Sequence, residues 1–196
     1  MKQLTRKGLL AIALLVSLLG FANDLKKPIK EKEPNVTSLS FSKVFEGSML
    51  FIKDEMGLTL YKEAIQKTGE YSKGFDLTSL PDGEYFFELD TDLKIVVIPF
   101  EVESNEVRFM KEEKSTILKP VVRVVDNKVL VSRTSFEGAP LEFKIYYAQN
   151  SDVVLSERFE NETIVEKVYD FSESKKGEYL FVFKSNGRKF VKSVKI

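Results

Sequence analysis

The sequence predicts an all-β protein of two sandwiches in tandem behind a signal peptide. Three observations carry that expectation. From Val36 to the end, short apolar runs alternate with turn residues, and no stretch after residue 22 has the periodicity of an amphipathic helix. The stretch Leu77 to Leu89, LTSLPDGEYFFEL, returns 94 positions later as Phe171 to Phe183, FSESKKGEYLFVF, and an aspartate, Asp76 or Asp170, precedes each copy. The chain opens on a basic segment, then an apolar one, then small residues, the order of a segment removed on export.

In residues 1–22, Lys2, Arg6 and Lys7 form the basic part, Leu9 to Leu19 the apolar part, and Gly20-Phe21-Ala22 a small-x-small cleavage site, so the mature chain is expected to begin at Asn23. The apolar part is about a dozen residues, short of the roughly 20 that a spanning helix needs, so no stable membrane span is expected after cleavage. Residues 23–34, NDLKKPIKEKEP, are charged, contain proline and read as a flexible leader.

The apolar runs then fall into two units, residues 35–103 and 119–196, with the charged segment 104–118 between them as a linker that offers a strand near Phe109. The first unit has Val36–Phe41 with Val44–Phe45, Met49–Ile52, Leu58–Ile65, Glu70–Leu77, Gly83–Leu89 and Lys94–Val102. The second has Pro120–Val125, Lys128–Arg133, Leu141–Tyr147, Val153–Phe159, Thr163–Phe171, Gly177–Lys184 and Arg188–Ile196. Seven short strands bounded by turn residues is the count of an immunoglobulin-like sandwich, so the expected fold is two tandem immunoglobulin-like β-sandwiches.

Laid over each other without a gap, Met49–Val102 and Phe143–Ile196 share eight identities in 54 positions. Five of these fall in one short span: Asp76/Asp170, Gly83/Gly177, Glu84/Glu178, Tyr85/Tyr179 and Phe87/Phe181. That concentration marks a repeated device, and Gly83, Tyr85, Phe87, Gly177, Tyr179 and Phe181 are its structural residues. The glycine ends a turn, and the tyrosine opens a strand whose alternate residues face the core. Phe45-Glu46-Gly47 recurs as Phe136-Glu137-Gly138 at an offset of 91, which places three extra residues in the loop that follows in the second unit.

These residues carry two resemblances. Leu80-Pro81-Asp82-Gly83-Glu84-Tyr85 resembles the tyrosine corner of fibronectin type III-like sandwiches, which implies that Tyr85 hydrogen-bonds backbone upstream of it. The second unit has Ser174-Lys175 where the first has Leu-Pro, so a weaker corner is expected there. The segment from Phe143 to Ile196, with its Ile-Tyr strand, Asp-x-Ser, Gly-x-Tyr and basic last strand, is similar to the C-terminal sorting domain of type IX secretion. That likeness implies a docking role for the last strand. The Pro-Asn-Pro lead-in of that family is missing.

Composition narrows function. The sequence has no cysteine and no histidine, which removes disulfides, thiolate nucleophiles, histidine triads and the commonest transition-metal ligands. Without the first 22 residues the chain carries 27 basic and 30 acidic residues, a net of −3, which gives no support to a nucleic-acid partner. Asp90-Thr91-Asp92, with Glu88 nearby, reads as a polar hairpin tip rather than a Ca²⁺ loop. Asp54-Glu55 and Glu112-Glu113 are poor acid/base pairs, because neighbours on a strand face opposite ways. Tyr61, Tyr71 and Tyr146-Tyr147 are the aromatic candidates for a glycan platform.

No catalytic, cofactor-binding or metal residue is therefore expected, and the chain reads as no enzyme. The expected function is an exported, non-catalytic binding, adhesion or scaffold protein of the cell envelope, periplasmic or extracellular. Its expected partner is another protein or an envelope polysaccharide. The alternatives are a type IX secretion substrate, with the second sandwich as sorting domain, and a carbohydrate-binding module.

Overall fold

Residues with a spacing of two between apolar side chains form strands with one buried face, and here they do so along the whole described chain. The computed structural model describes residues 36–196; the segments 1–22 and 23–34, expected as signal peptide and leader, lie outside the described residues. The strands are β1 (Val36–Val44), β2 (Met49–Asp54), β3 (Thr59–Ala64), β4 (Gly69–Asp76), β5 (Gly83–Asp90), β6 (Lys94–Glu103), β7 (Glu106–Phe109) and β8 (Ser115–Leu118) in the first half. The second half has β9 (Val121–Val125), β10 (Lys128–Thr134), β11 (Leu141–Tyr147), β12 (Asp152–Phe159), β13 (Ile164–Asp170), β14 (Glu178–Ser185) and β15 (Arg188–Lys195). One 3-10 turn, Lys111–Glu113, is the only helical element among the described residues. The fold is all-β.

In the first sandwich β1 pairs β4, and this two-stranded layer covers a sheet of order β3-β2-β5-β6. Its core is Leu39 and Val44 from the small layer, with Leu50, Ile52, Tyr85, Phe87, Leu89, Val96, Ile98, Phe100 and Val102 from the large one. In the second sandwich the layers are β13-β10-β9 and β12-β11-β14-β15, all antiparallel. Val129, Val131 and Val165 meet Phe143, Ile145, Tyr179, Phe181 and Phe183 in its core. Phe87, Phe100, Phe143, Phe181 and Phe183 are fully buried. Each contributes about 1.5–3 kcal/mol by leaving water.

Segment 104–118 is no linker. Its strands β7 and β8 both pair with β6, Phe100 opposite Phe109 and Ile95 opposite Ile117, on either side of the 3-10 turn. Together they run along β6 as one interrupted strand. The two sandwiches are then joined by Lys119-Pro120 alone, with the Lys119 N–H donating to the Leu93 carbonyl at 2.8 Å. Both sandwiches belong to one compact body, Thr37–Ile196.

The repeat is real but not gapless. Ile52 pairs Phe87 and Ile145 pairs Phe181, so β2 and β11 correspond at an offset of 93 while β5 and β14 correspond at 94. The gapless overlay puts half-buried Met49 on buried Phe143, which is one residue out, and a one-residue slip turns every side chain to the other face. The same bulge, after Ile52 and after Ile145, bends both strands at this offset. From the offsets 93 and 91, the loop after Phe136-Glu137-Gly138 is two residues longer than its counterpart, not three.

Candidate functional site

The corner that the sequence repeats forms the same side-chain-to-backbone hydrogen bond in both sandwiches. Tyr85 opens β5 and donates its hydroxyl to the Pro81 carbonyl at 2.8 Å; Tyr179 opens β14 and donates to the Lys175 carbonyl at 2.7 Å. Burial raises both phenols above their ordinary value. Upstream, Asp76 accepts from the Thr78 N–H at 3.2 Å and its hydroxyl at 2.7 Å, and Asp170 accepts from the Ser172 N–H at 2.9 Å and its hydroxyl at 2.7 Å. The second corner is thus as complete as the first. The acceptor is a main-chain carbonyl, which any residue supplies, so losing Leu-Pro costs the second corner no bond.

The glycines differ more than the tyrosines. Gly177, at φ +151, lies under the Tyr147 ring, and a Cβ there would meet Cε2 at 2.8 Å. Tyr147 in turn donates to the Lys176 carbonyl at 3.1 Å and packs on Tyr179 with centroids 5.1 Å apart. Gly83, at φ +158, has nothing nearer than 3.8 Å. Tyr147 therefore belongs to the corner rather than to an open platform.

Charge is concentrated where the sandwiches meet. Glu88, on the outer face of β5, is only 5% exposed and accepts from Lys53 Nζ at 2.6 Å. Arg188, the first residue of β15, closes on the same carboxylate with both terminal nitrogens. Burial by itself would raise the Glu88 carboxyl, but Arg188 and Lys53 outweigh it and hold the group below its ordinary value. Lys119, in the joint, pairs with Asp90. Asp90 and Glu88 are thereby committed to cations, and no group of acidic residues suited to a metal ion occurs among the described residues. The basic last strand is partly used in the same way: Arg188 is held, Lys192 is half-buried, and Lys189 and Lys195 stay exposed.

A second buried cation, Arg133 at the end of β10, is 6% exposed and has no carboxylate partner among the described residues. It donates to the Ala139 carbonyl at 2.9 Å, the Glu162 carbonyl at 3.2 Å and the Ser185 hydroxyl at 2.9 Å, tying two loops of the second sandwich to the end of β14. Burial lowers its pKa.

The remaining candidates disperse. Tyr61 and Tyr71 both donate to Glu63, which also receives Lys73 Nζ at 2.6 Å; burial, helped by Glu63, pushes the Tyr71 hydroxyl up to about 12. Tyr169 donates to Glu157 at 2.7 Å, so the second sandwich repeats the phenol–carboxylate pair across the same gap between strands. Tyr61 also packs edge-on against Phe75, at 5.4 Å between centroids, which engages its ring in packing. Asp54 caps its own turn by accepting from the N–H groups of Met56 at 3.0 Å and Leu58 at 2.8 Å. Glu112 and Glu113 lie in the 3-10 turn, not on a strand. None of these pairs aims two carboxylates at one point.

Sequence reasoning missed Arg133 and the pairing of Arg188, read only as part of a basic last strand, with Glu88. The available signal for Glu88 was its neighbour strand: Ile95-Val96-Val97-Ile98-Pro99-Phe100 is nearly continuous apolar sequence, the mark of a strand covered on both faces.

No family model matches the chain, and no curated protein matches it. Among solved structures it is similar to one described as "Biofilm associated protein - BSP domain", with a TM-score of 0.28 and 14% identity, over 83% of this chain and 27% of that one. This chain thus spans about a quarter of that chain's length.

Proposed function

We propose that this chain is an exported, non-catalytic binding, adhesion or scaffold protein of the cell envelope, built to hold two sandwiches as one stiff piece. The observation that carries the reading is the joint. Two residues connect the sandwiches, and Glu88 of one is buried against Arg188 of the other. A flexible tether needs neither feature. A module that presents edges and loops to a partner at fixed spacing uses both, because preorganisation lowers the ordering cost of binding.

The layer order β13-β10-β9 against β12-β11-β14-β15, with a tyrosine corner at the start of β14, supports an immunoglobulin-like sandwich of the fibronectin type III kind. Export rests on the basic and apolar start of the sequence. No helix among the described residues is long and apolar enough to cross a membrane.

The test is a cross-linked pull-down of the full-length, C-terminally tagged chain from intact envelope, with fractionation of the same cells. A protein partner recovered from the exported fraction supports the reading. A chain that stays in the cytoplasm, or cross-links to nothing, contradicts it; glycan-array binding without a protein partner replaces it with the polysaccharide alternative.

A further inference from the structure

We propose that the cavity between the joint and the end of the second sandwich captures the C-terminal carboxylate of a partner protein, with Arg133 as its counter-ion. This deepens the binding reading above and rests on it. The cavity holds about 380 Å³ and lies between β8 with Pro120 on one side and Arg133, Leu141, Ser185 and Phe190 of the second sandwich on the other. That is the lower part of the range for small-ligand pockets, about 300–1,000 Å³. Its walls are all described residues, between positions 115 and 190.

Arg133 is the reason to expect an anion there. It follows Val129 and Val131 on the inward face of β10, a row that is otherwise core. Two carbonyls and one hydroxyl take three of the five N–H donors of its guanidinium, and none of these acceptors carries a charge. The Nε atom donates to no group among the described residues, and no fully buried side-chain nitrogen there lacks a partner, so Nε reaches open space. The space that Arg133 lines is this cavity. Glu137 is the one acid among the described residues of the wall, and no ion pair joins it to Arg133. A structural tie between carbonyls needs only a neutral donor. A buried cation held by neutral groups is matched by an incoming carboxylate, which accepts a charge-assisted hydrogen bond.

The rest of the wall favours a peptide as the bearer of that carboxylate. Ser115 to Leu118 and Arg133 to Glu137 line the cavity as unbroken runs. Neighbours on a strand point opposite ways, so an unbroken run presents main chain as well as side chains. Main chain is what an extended peptide pairs with, and capture of a terminal carboxylate is a recurring mode of peptide recognition. Ile117, Leu118, Phe136 and Phe190 form an apolar wall for the last side chain of that peptide, and Phe136, 72% exposed, borders the entrance. Glu137 disfavours a second negative charge beside the first. The fitting occupant is a C-terminus with an apolar last residue and no acid next to it.

The test uses isotope-labelled full-length chain and an acetylated threonine-valine-leucine tripeptide, titrated once as the free acid and once as the C-terminal amide. The expected result is saturable amide shifts at Ser115–Leu118 and Ser135–Phe136 with the acid, and binding at least about tenfold weaker with the amide. Phe136→Ala, at an exposed position, should weaken the acid several-fold, and Glu137→Gln should strengthen it about two- to threefold. Equal binding of acid and amide, or no saturable shift at these residues, overturns the proposal. So do two other outcomes: isovalerate binding as tightly as the tripeptide, which assigns the cavity to free small acids, and binding raised about tenfold by Glu31→Gln with Glu33→Gln, which assigns Arg133 to the segment 23–34. A protein partner recovered in the pull-down together with failure of the free-acid peptide here leaves the binding reading standing and removes this site.

Discussion

Glu88→Gln tests the joint between the sandwiches. The carboxylate receives one hydrogen bond from Lys53 and two from Arg188, and the side chains of these cations keep only 23% and 27% of their surface in water. The amide keeps the shape and one acceptor oxygen but removes the charge, leaving two cations side by side. Charge-assisted hydrogen bonds contribute about 1.5–3 kcal/mol each, and the relief of desolvating Glu88 offsets part of that, so a net loss of about 2–3 kcal/mol is expected. Urea unfolding followed by tyrosine fluorescence measures it, since the chain has no tryptophan. A cycle with Arg188→Gln should return a coupling of about 1–3 kcal/mol. The pH dependence has a fixed sign: the Glu88 carboxyl is lowered from its ordinary 4.5, so its contribution is complete above that value and lost as pH falls through the lower, folded value. The gap between wild type and Glu88→Gln should therefore close in acid. A loss under about 0.5 kcal/mol, or strict additivity with Arg188→Gln, would refute the reasoning.

Three further outcomes follow from the same structure. Tyr85→Phe and Tyr179→Phe should each cost about 0.5–1.5 kcal/mol in chemical denaturation, and by equal amounts, because both corners keep their carbonyl bond; a negligible loss at Tyr179 alone would restore the weaker second corner read from Ser174-Lys175. Gly177→Ala should cost about 1–3 kcal/mol more than Gly83→Ala, because the new Cβ must displace the hydrogen-bonded Tyr147 ring, and thermal melts of the pair measure the difference. Arg133→Met should cost about 2–4 kcal/mol, by leaving the Ala139 and Glu162 carbonyls without their donor, and its urea midpoint reads the loss.

The sandwich architecture was legible because period-two alternation is a direct image of a strand with one buried face: Tyr85, Phe87 and Leu89 face inward as their spacing dictates. The corner was legible because Gly-Glu-Tyr occurs twice. The register of β2 was not, since Met49 and Leu50 are both apolar and the one-residue slip changes no local pattern. In 104–118 the strand near Phe109 was legible, but its continuation at Ser115–Leu118 was not, since Ile117 lies close to the charges of Lys111 to Lys114 and an edge strand is only half covered. Glu88 misleads for a different reason. A lone glutamate on an outward position reads as solvated until a second sandwich, a hundred residues on, supplies Arg188.

The stiffness of the joint is the claim on which the rest depends, and a distance distribution between spin labels tests it directly. Ser42→Cys and Ser156→Cys place single labels on exposed positions of the two sandwiches, in a chain with no other thiol. A single narrow distribution, broadened by Glu88→Gln, is the predicted result. A broad distribution in the chain with Glu88 intact would contradict it.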